Sequence, residues 1–300
     1  MTLRDIFGPI IVTALLTAGS ALAEPATVYF PSADGNTRLV GYLFMPSTPG
    51  PHPAVVMLHG RAGPYSANNN RECTLVAEGT QSACNAATLS KRHQSWGEYW
   101  AEHGFVALLP DSFGPRGKAR GFSRFTHGDA DREDVNERTV QPLDAEGALK
   151  YLQSRSDVTA QRIYLQGWSN GASTTLNVMY RQAQAGGSGF RAAMAFYPGC
   201  GPDALLSRDY ETTAPITVFL GSDDEEVSPE ACHRVLDPAA GKGSPVTLVG
   251  YEDATHDFDD PGRKRQREPG TRRRFLRNRR SAAGVFAGAE VHVFEQRRRY

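Results

Sequence analysis

After residue 22 the chain has no run long and apolar enough to span a bilayer, which sets aside a polytopic membrane protein. It has no internal repeat, which sets aside a repeat architecture. No residue type reaches an extreme that argues for disorder over most of its 300 residues. Net charge is also missing, since 33 Lys+Arg balance 33 Asp+Glu. That balance hides two regions. Residues 261–300 hold 13 Lys+Arg and 3 Asp+Glu, against 20 and 30 in residues 1–260. An acidic body therefore precedes a strongly basic tail. Cysteine is scarce, with four in the whole chain.

The one long apolar run lies at the start, from Ile6 to Leu22, after the positive charge of Arg4. Ala21-Leu22-Ala23 supplies the small-x-small pattern for cleavage before Glu24, so residues 1–23 read as a signal peptide. Gly8, Pro9, Gly19 and Ser20 interrupt the run and speak against an uncleaved anchor. Export to the periplasm or beyond is expected. In an exported chain an even number of cysteines suggests disulfides. Four cysteines allow three connectivities; proximity favours Cys73–Cys84, which leaves Cys200–Cys232. Four buried free thiols are the alternative.

From residue 26 onward, β-rich runs fall at Thr27–Phe30, Arg38–Phe44, Ala54–Leu58, Phe105–Leu109, Arg162–Leu165, Ala192–Tyr197, Ile216–Leu220 and Val246–Tyr251. Several are continuously apolar, as strands buried on both faces are. Helical spacing marks Asp144–Leu152 and Ser173–Gln184. Alternating strands and helices predict an α/β protein with a mostly parallel sheet covered on both sides. The first strands have no helices between them and are expected to be antiparallel. Gly60 to Arg92 and Asp111 to Arg138 are long loops, of a length that is often functional or lid-like.

The run Arg162–Leu165 leads into Gln166-Gly167-Trp168-Ser169-Asn170-Gly171-Ala172. This holds Gly-x-Ser-x-Gly between a strand and a helix, the setting of a nucleophile elbow in the α/β-hydrolase fold. The glycines leave room for neighbouring backbone at a sharp turn, and the turn exposes the Ser169 hydroxyl. The Asn170 N–H opens the helix and is free to face an oxyanion. A serine needs a base within hydrogen-bond reach. His256 is the histidine that directly follows the last strand, where this fold places the base. The strand Ile216–Leu220 ends in Gly221-Ser222-Asp223-Asp224-Glu225-Glu226, so the third group is an acid of this run. Asp224 is the choice, with Asp223 and Glu225 as alternatives. Val55-Val56-Met57-Leu58 runs into His59-Gly60-Arg61-Ala62-Gly63, an oxyanion-type loop. Its backbone donor is Arg61, with Ala62 as runner-up, and His59 reads as structural.

These segments, with Leu109-Pro110-Asp111-Ser112-Phe113-Gly114-Pro115-Arg116-Gly117 and Thr255-His256-Asp257-Phe258, resemble the dienelactone hydrolase family, in particular its exported bacterial members. The resemblance covers most of residues 25–262. It implies an α/β-hydrolase fold with a mostly parallel eight-stranded sheet. It also implies hydrolysis of an ester or lactone through an acyl-enzyme, without metal or cofactor. The expected partner is a small-molecule ester or lactone, with no specific nucleic acid. The name-giving enzymes carry a cysteine nucleophile where this chain has Ser169, which points to a general carboxylester hydrolase. They also hold a substrate carboxylate with arginines, for which Arg61 and Arg116 are candidates. Trp168 and Tyr65 are candidate pocket walls, although large aromatics are more often core. An amide hydrolase, or a non-catalytic binding module on the same fold, is the rival reading.

The hydrolase domain is expected over residues 24–262 and a poorly ordered basic tail over 263–300. Thr271–Arg280 offers only Phe275 and Leu276 to an apolar face, among arginines that repel at i,i+4. Such a tail is not expected to pack as a covering helix, so an apolar patch on the body is expected to stay exposed. A basic arm for polyanions and a shifted reading frame are the two origins considered.

Overall fold

The computed structural model describes residues 24–263, 265 and 284–286. The expected signal peptide and most of the basic tail, with its two suggested origins, lie outside the described residues. Among the described residues no helix is long and apolar enough to cross a membrane.

The strands are β1 Ala26–Pro31, β2 Arg38–Phe44, β3 His52–Leu58, β4 Val106–Asp111, β5 Val158–Trp168, β6 Ala193–Phe196, β7 Ile216–Gly221 and β8 Val246–Tyr251. All eight coincide with the β-rich runs of the sequence. They form one sheet in the order β1-β2-β4-β3-β5-β6-β7-β8. β1 pairs antiparallel with β2, and β2 with β4; every later pairing is parallel.

The helices are α1 Lys91–Glu102, α2 Gln141–Gln153, α3 Asn170–Gln184 and α4 Pro229–Gly241. Strand side chains alternate between faces, and β3 shows why its run is apolar throughout. Ala54, Val56 and Leu58 enter the core shared with Leu152 of α2, Leu176 and Met179 of α3, and Val235 of α4. Val55 and Met57 enter the opposite core, with Trp96 and Trp100 of α1. α1 and α4 open on serine caps: the Ser90 hydroxyl accepts the His93 N–H, and the Ser228 hydroxyl that of Ala231. Gly97 of α1 leaves room for the Phe44 ring, which would collide with any Cβ there.

One expectation is corrected here. Gly284–Phe286 form a helical turn, and Phe286 is fully buried. Its ring stacks on Tyr164 at 4.4 Å and on Trp100 at 5.1 Å, with Phe105 at 6.4 Å. The aromatic surface between α1 and β5 is thus covered at this point. Val285 packs against the same core beside Phe286.

Cys73 is joined to Cys84 and Cys200 to Cys232. The second pair ties the segment after β6 to α4, on either side of the acidic run 223–226. The sequence separations are 11 and 32. Chain entropy then gives about 3 kcal/mol for the shorter loop and about 4 kcal/mol for the longer. Replacing Cys200 and Cys232 together by serine is expected to lower the denaturation midpoint more than replacing Cys73 and Cys84. Non-reducing peptide mapping of the parent should recover both pairs; four free thiols in exported material would refute them.

Candidate active site

Four loops at the C-terminal ends of parallel strands meet at one point, where open α/β sheets bind ligands. Ser169 joins β5 to α3 with φ at +52°, a left-handed conformation rare for a residue with a side chain. The neighbouring glycines allow it. A Cβ on Gly167 would strike the Gly171 carbonyl and the Thr175 hydroxyl, and one on Gly171 would strike the Leu58 and His59 carbonyls. The turn leaves Ser169 partly exposed while Asn170 behind it is buried. The Asn170 N–H is in the first turn of α3, where no intrahelical acceptor exists.

His256 lies five residues beyond β8. Its Nε2 is 3.0 Å from the Ser169 Oγ, and its Nδ1 is 2.8 Å from Asp224 Oδ2 and 3.0 Å from Oδ1. A carboxylate only accepts, so Nδ1 carries the proton and donates to Asp224. In the neutral ring Nε2 is then bare and accepts from the Ser169 hydroxyl. Asp224 and His256 are both almost fully buried. Asp224 Oδ1 also accepts the N–H groups of Glu226 and Val227, each at 2.9 Å, which orients the carboxylate independently of the imidazole.

The acidic run, ambiguous in sequence, divides by geometry. Asp223 accepts from the Ser222 hydroxyl at 2.8 Å. Glu225 Oε2 accepts the backbone N–H of His256 at 2.9 Å. Glu226 Oε2 lies 3.9 Å from His256 Nε2, and the two oxygens of Glu226 accept a two-pronged bond from Arg61, Oε2 at 3.0 Å and Oε1 at 3.1 Å. Of the four acids, Asp224 is the one that meets Nδ1. The acid and histidine loops are stitched together by Ser222 N–H to Tyr251 O at 2.9 Å and Asp223 N–H to Ala254 O at 3.0 Å.

Burial disfavours the charged form of His256. The hydrogen bond to Asp224 and the negative charges of Asp257, Asp224 and Glu226 outweigh it, and the imidazole pKa stands above its ordinary value. His59 goes the other way: it is fully buried, and desolvation keeps it neutral. Its Nε2 accepts the Ser112 N–H at 3.2 Å, tying the loop after β3 to the end of β4.

That loop runs beside the serine. A Cβ built on Gly60 would stand 3.6 Å from the Ser169 Cβ. Arg61 is held through its guanidinium by Glu226 and by Phe122 O at 2.9 Å, and its own carbonyl accepts the Phe122 N–H at 2.8 Å. The two long loops therefore meet here, and Arg124 adds an ion pair to Glu226 at 2.6 Å. Arg116 is elsewhere. Asp34 and Asp144 hold its guanidinium at 2.8–2.9 Å, which ties it to the start of the sheet rather than to a substrate. Trp168 and Tyr65 are also core residues, both almost wholly buried. A groove of 570 Å³ between α2 and α3, with Glu146, Leu149, Arg181 and Phe190 in its wall, lies at the far end of α3 from Ser169.

Residues 86–282 match the family model described as "Dienelactone hydrolase family", well over half of the chain and further along the tail than the motifs reach. Among solved structures, the chain is similar to a dienelactone hydrolase-like promiscuous phosphotriesterase, P91, from metagenomic libraries. Identity is 19%, the match covers 89% of this chain and 99% of that one, and the TM-score is 0.63. It is also similar to a thermophilic esterase of the planctomycete Thermogutta terrifontis, at 17% identity over 88% and 91% of the two chains, with a TM-score of 0.57. At these identities the structures speak for the fold, and the family match carries the rest. The chain belongs to the dienelactone hydrolase family and is a carboxylic ester hydrolase.

Proposed function

We propose that the chain is an exported serine esterase that cleaves a small carboxylic ester or lactone through an acyl-enzyme. Ser169 is the nucleophile, His256 the general base and Asp224 the group that orients it. The observation that carries the reading is the unbroken chain of hydrogen bonds from Ser169 Oγ through both imidazole nitrogens to Asp224. His256 takes the serine proton as Oγ attacks the carbonyl carbon. The N–H groups of Asn170 and Arg61 receive the oxyanion, and the bidentate Glu226 bond steadies the Arg61 loop. His256 then protonates the leaving alcohol. Water, deprotonated by the same nitrogen, releases the acid and restores the serine. Two disulfides and the leader pattern over residues 1–23 support export.

Fluorophosphonate treatment of the folded protein followed by peptide mapping is expected to place one adduct on Ser169. A parallel panel of esters, lactones and amides should show turnover of the first two. An unlabelled Ser169 would return the chain to a binding module of the same fold. Amide turnover exceeding ester turnover would move it to the amide hydrolases.

A further inference from the structure

Beneath the His256 loop lies a buried polar cluster for which the hydrolytic steps have no direct use. Its centre is Asp259, three residues past His256 and fully buried. Asp259 Oδ2 accepts two indole N–H groups, from Trp168 at 2.7 Å and from Trp96 at 2.9 Å. Its Oδ1 accepts the Tyr197 hydroxyl and lies 3.5 Å from Arg92 Nε. The donors come from different places in the fold. Trp168 is the last residue of β5, adjacent to Ser169. Tyr197 follows β6, and its ring lies 4.6 Å from the His256 ring. Trp96 and Arg92 belong to α1. Arg92 also pairs with Asp257 at 2.7 Å and with Asp260 at 3.2 Å, so one guanidinium spans the stretch that follows His256.

From this arrangement we infer that Asp259 is a positioning residue that sets the distance between His256 and Ser169 by fastening the histidine loop to the indole next to the serine. The inference rests on the reading of Ser169 and His256 as nucleophile and base. Three features support it. The carboxylate is fully buried and both its oxygens are taken up by Trp168, Trp96 and Tyr197, so contact with substrate does not explain it. Two side chains that converge on it come from the immediate neighbours of the reacting groups in sequence or space. Two non-glycine residues at the same joint, Tyr197 at φ +43° and Asp257 at φ +61°, hold left-handed backbone conformations. Such strain persists only where surrounding contacts enforce it, and it gathers at functional sites. A buried carboxylate that accepts from three neutral donors beside an arginine is satisfied. Replacing it by an apolar residue would leave two indole N–H groups and a hydroxyl without an acceptor.

The test is a double-mutant cycle on the full-length mature protein with Asp259→Asn and Trp168→Phe. Asparagine keeps one acceptor oxygen and the shape of the side chain; phenylalanine removes the indole donor and keeps most of the ring. Each single variant is expected to lower kcat by roughly 10- to 100-fold, the scale of a displacement of about 1 Å, with KM within about threefold of the parent. The double variant should fall no further than the weaker single within about threefold, because both changes break one linkage. All rates are counted per folded molecule at equal protein concentration, at a temperature well below unfolding.

A kcat for Asp259→Asn within threefold of the parent overturns the inference. A rise in KM at unchanged kcat also does so, since it makes Asp259 a binding residue. Multiplying losses in the double variant overturn the linkage to Trp168. If Asp259→Asn does not fold, Trp168→Phe decides alone by the same kcat criterion. Ser169→Ala serves as control: if it retains turnover, the nucleophile reading has failed and the cycle is not the cause. If it is inactive while Asp259→Asn is normal, only the positioning role is lost.

Discussion

Ser169→Ala is expected to lower kcat for a good ester substrate by roughly 10⁴- to 10⁶-fold, about 5–8 kcal/mol in transition-state free energy, without loss of the fold. The hydroxyl is the atom that forms the acyl bond, so no neighbouring group replaces it. What survives is binding and the oxyanion donors, which give a residual rate above water alone. The fold should tolerate the change because Ser169 is partly exposed and its backbone, not its side chain, makes the turn. Alanine faces the same left-handed φ of +52° as serine does. The hydroxyl's hydrogen bond to His256 belongs to the site and not to the core. Purified variant and parent should give the same far-ultraviolet spectrum and melting point within a few degrees. A kcat within tenfold of the parent would sink the nucleophile assignment.

The inner strands were legible because they are short runs buried on both faces, with few polar positions to blur them. β1 and β8, at the sheet edges, are exposed or half-buried at most positions and showed through β-rich composition instead. α2 and α3 showed partial helical spacing. α1 and α4 did not stand out, for identifiable reasons. α1 carries His93 and Gly97 on its buried side, where a pattern search expects aliphatic residues. α4 contains Pro238 and is short of large apolar side chains. Its Pro238 gives up the N–H that would otherwise reach the Arg234 carbonyl, which weakens the helical signal further.

At the site, chain order and strand ends were enough to bring Ser169, His256 and the acidic run together. They were not enough to divide the labour inside that run. Asp223, Asp224, Glu225 and Glu226 are alike in composition, and only backbone direction aims Asp224 at Nδ1 and Glu225 at the His256 N–H. Arg116 is a candidate for a substrate carboxylate on the family resemblance alone, while the partners that occupy it, Asp34 and Asp144, are far away in sequence. Arg92, Trp96, Tyr197 and Asp259 carried no local signal either. Asp259 sits in a polar stretch that reads as a solvated loop, and its donors lie 62 to 163 positions away. The tail, judged by its arginines, gave no sign that Phe286 covers the Trp100 and Tyr164 rings.

Asp224→Asn should cost roughly 10³- to 10⁴-fold in kcat and also move the pH dependence, and the two effects share a cause. An asparagine amide facing Nδ1 can donate to it, which favours the tautomer with the proton on Nε2. That nitrogen then cannot accept from Ser169. In the parent, burial opposes the charged ring, but the bond to Asp224 and the charges of Asp257, Asp224 and Glu226 win. The base works only when neutral, so the acid limb of kcat/KM in the parent is expected above the ordinary imidazole value of 6.5. Removing the Asp224 charge leaves burial less opposed, and the limb should move to lower pH. Stability follows the opposite sign. A histidine whose folded pKa is raised stabilises the fold fully below its unfolded pKa, and this contribution is lost as pH rises through the folded pKa. Between those two values the parent should gain activity while losing a part of its stability, and Asp224→Asn should show little of either change. Rate profiles and thermal melts across pH 5–9 measure both, and a parent limb at or below 6.5 would show that the carboxylates do not hold the proton on His256.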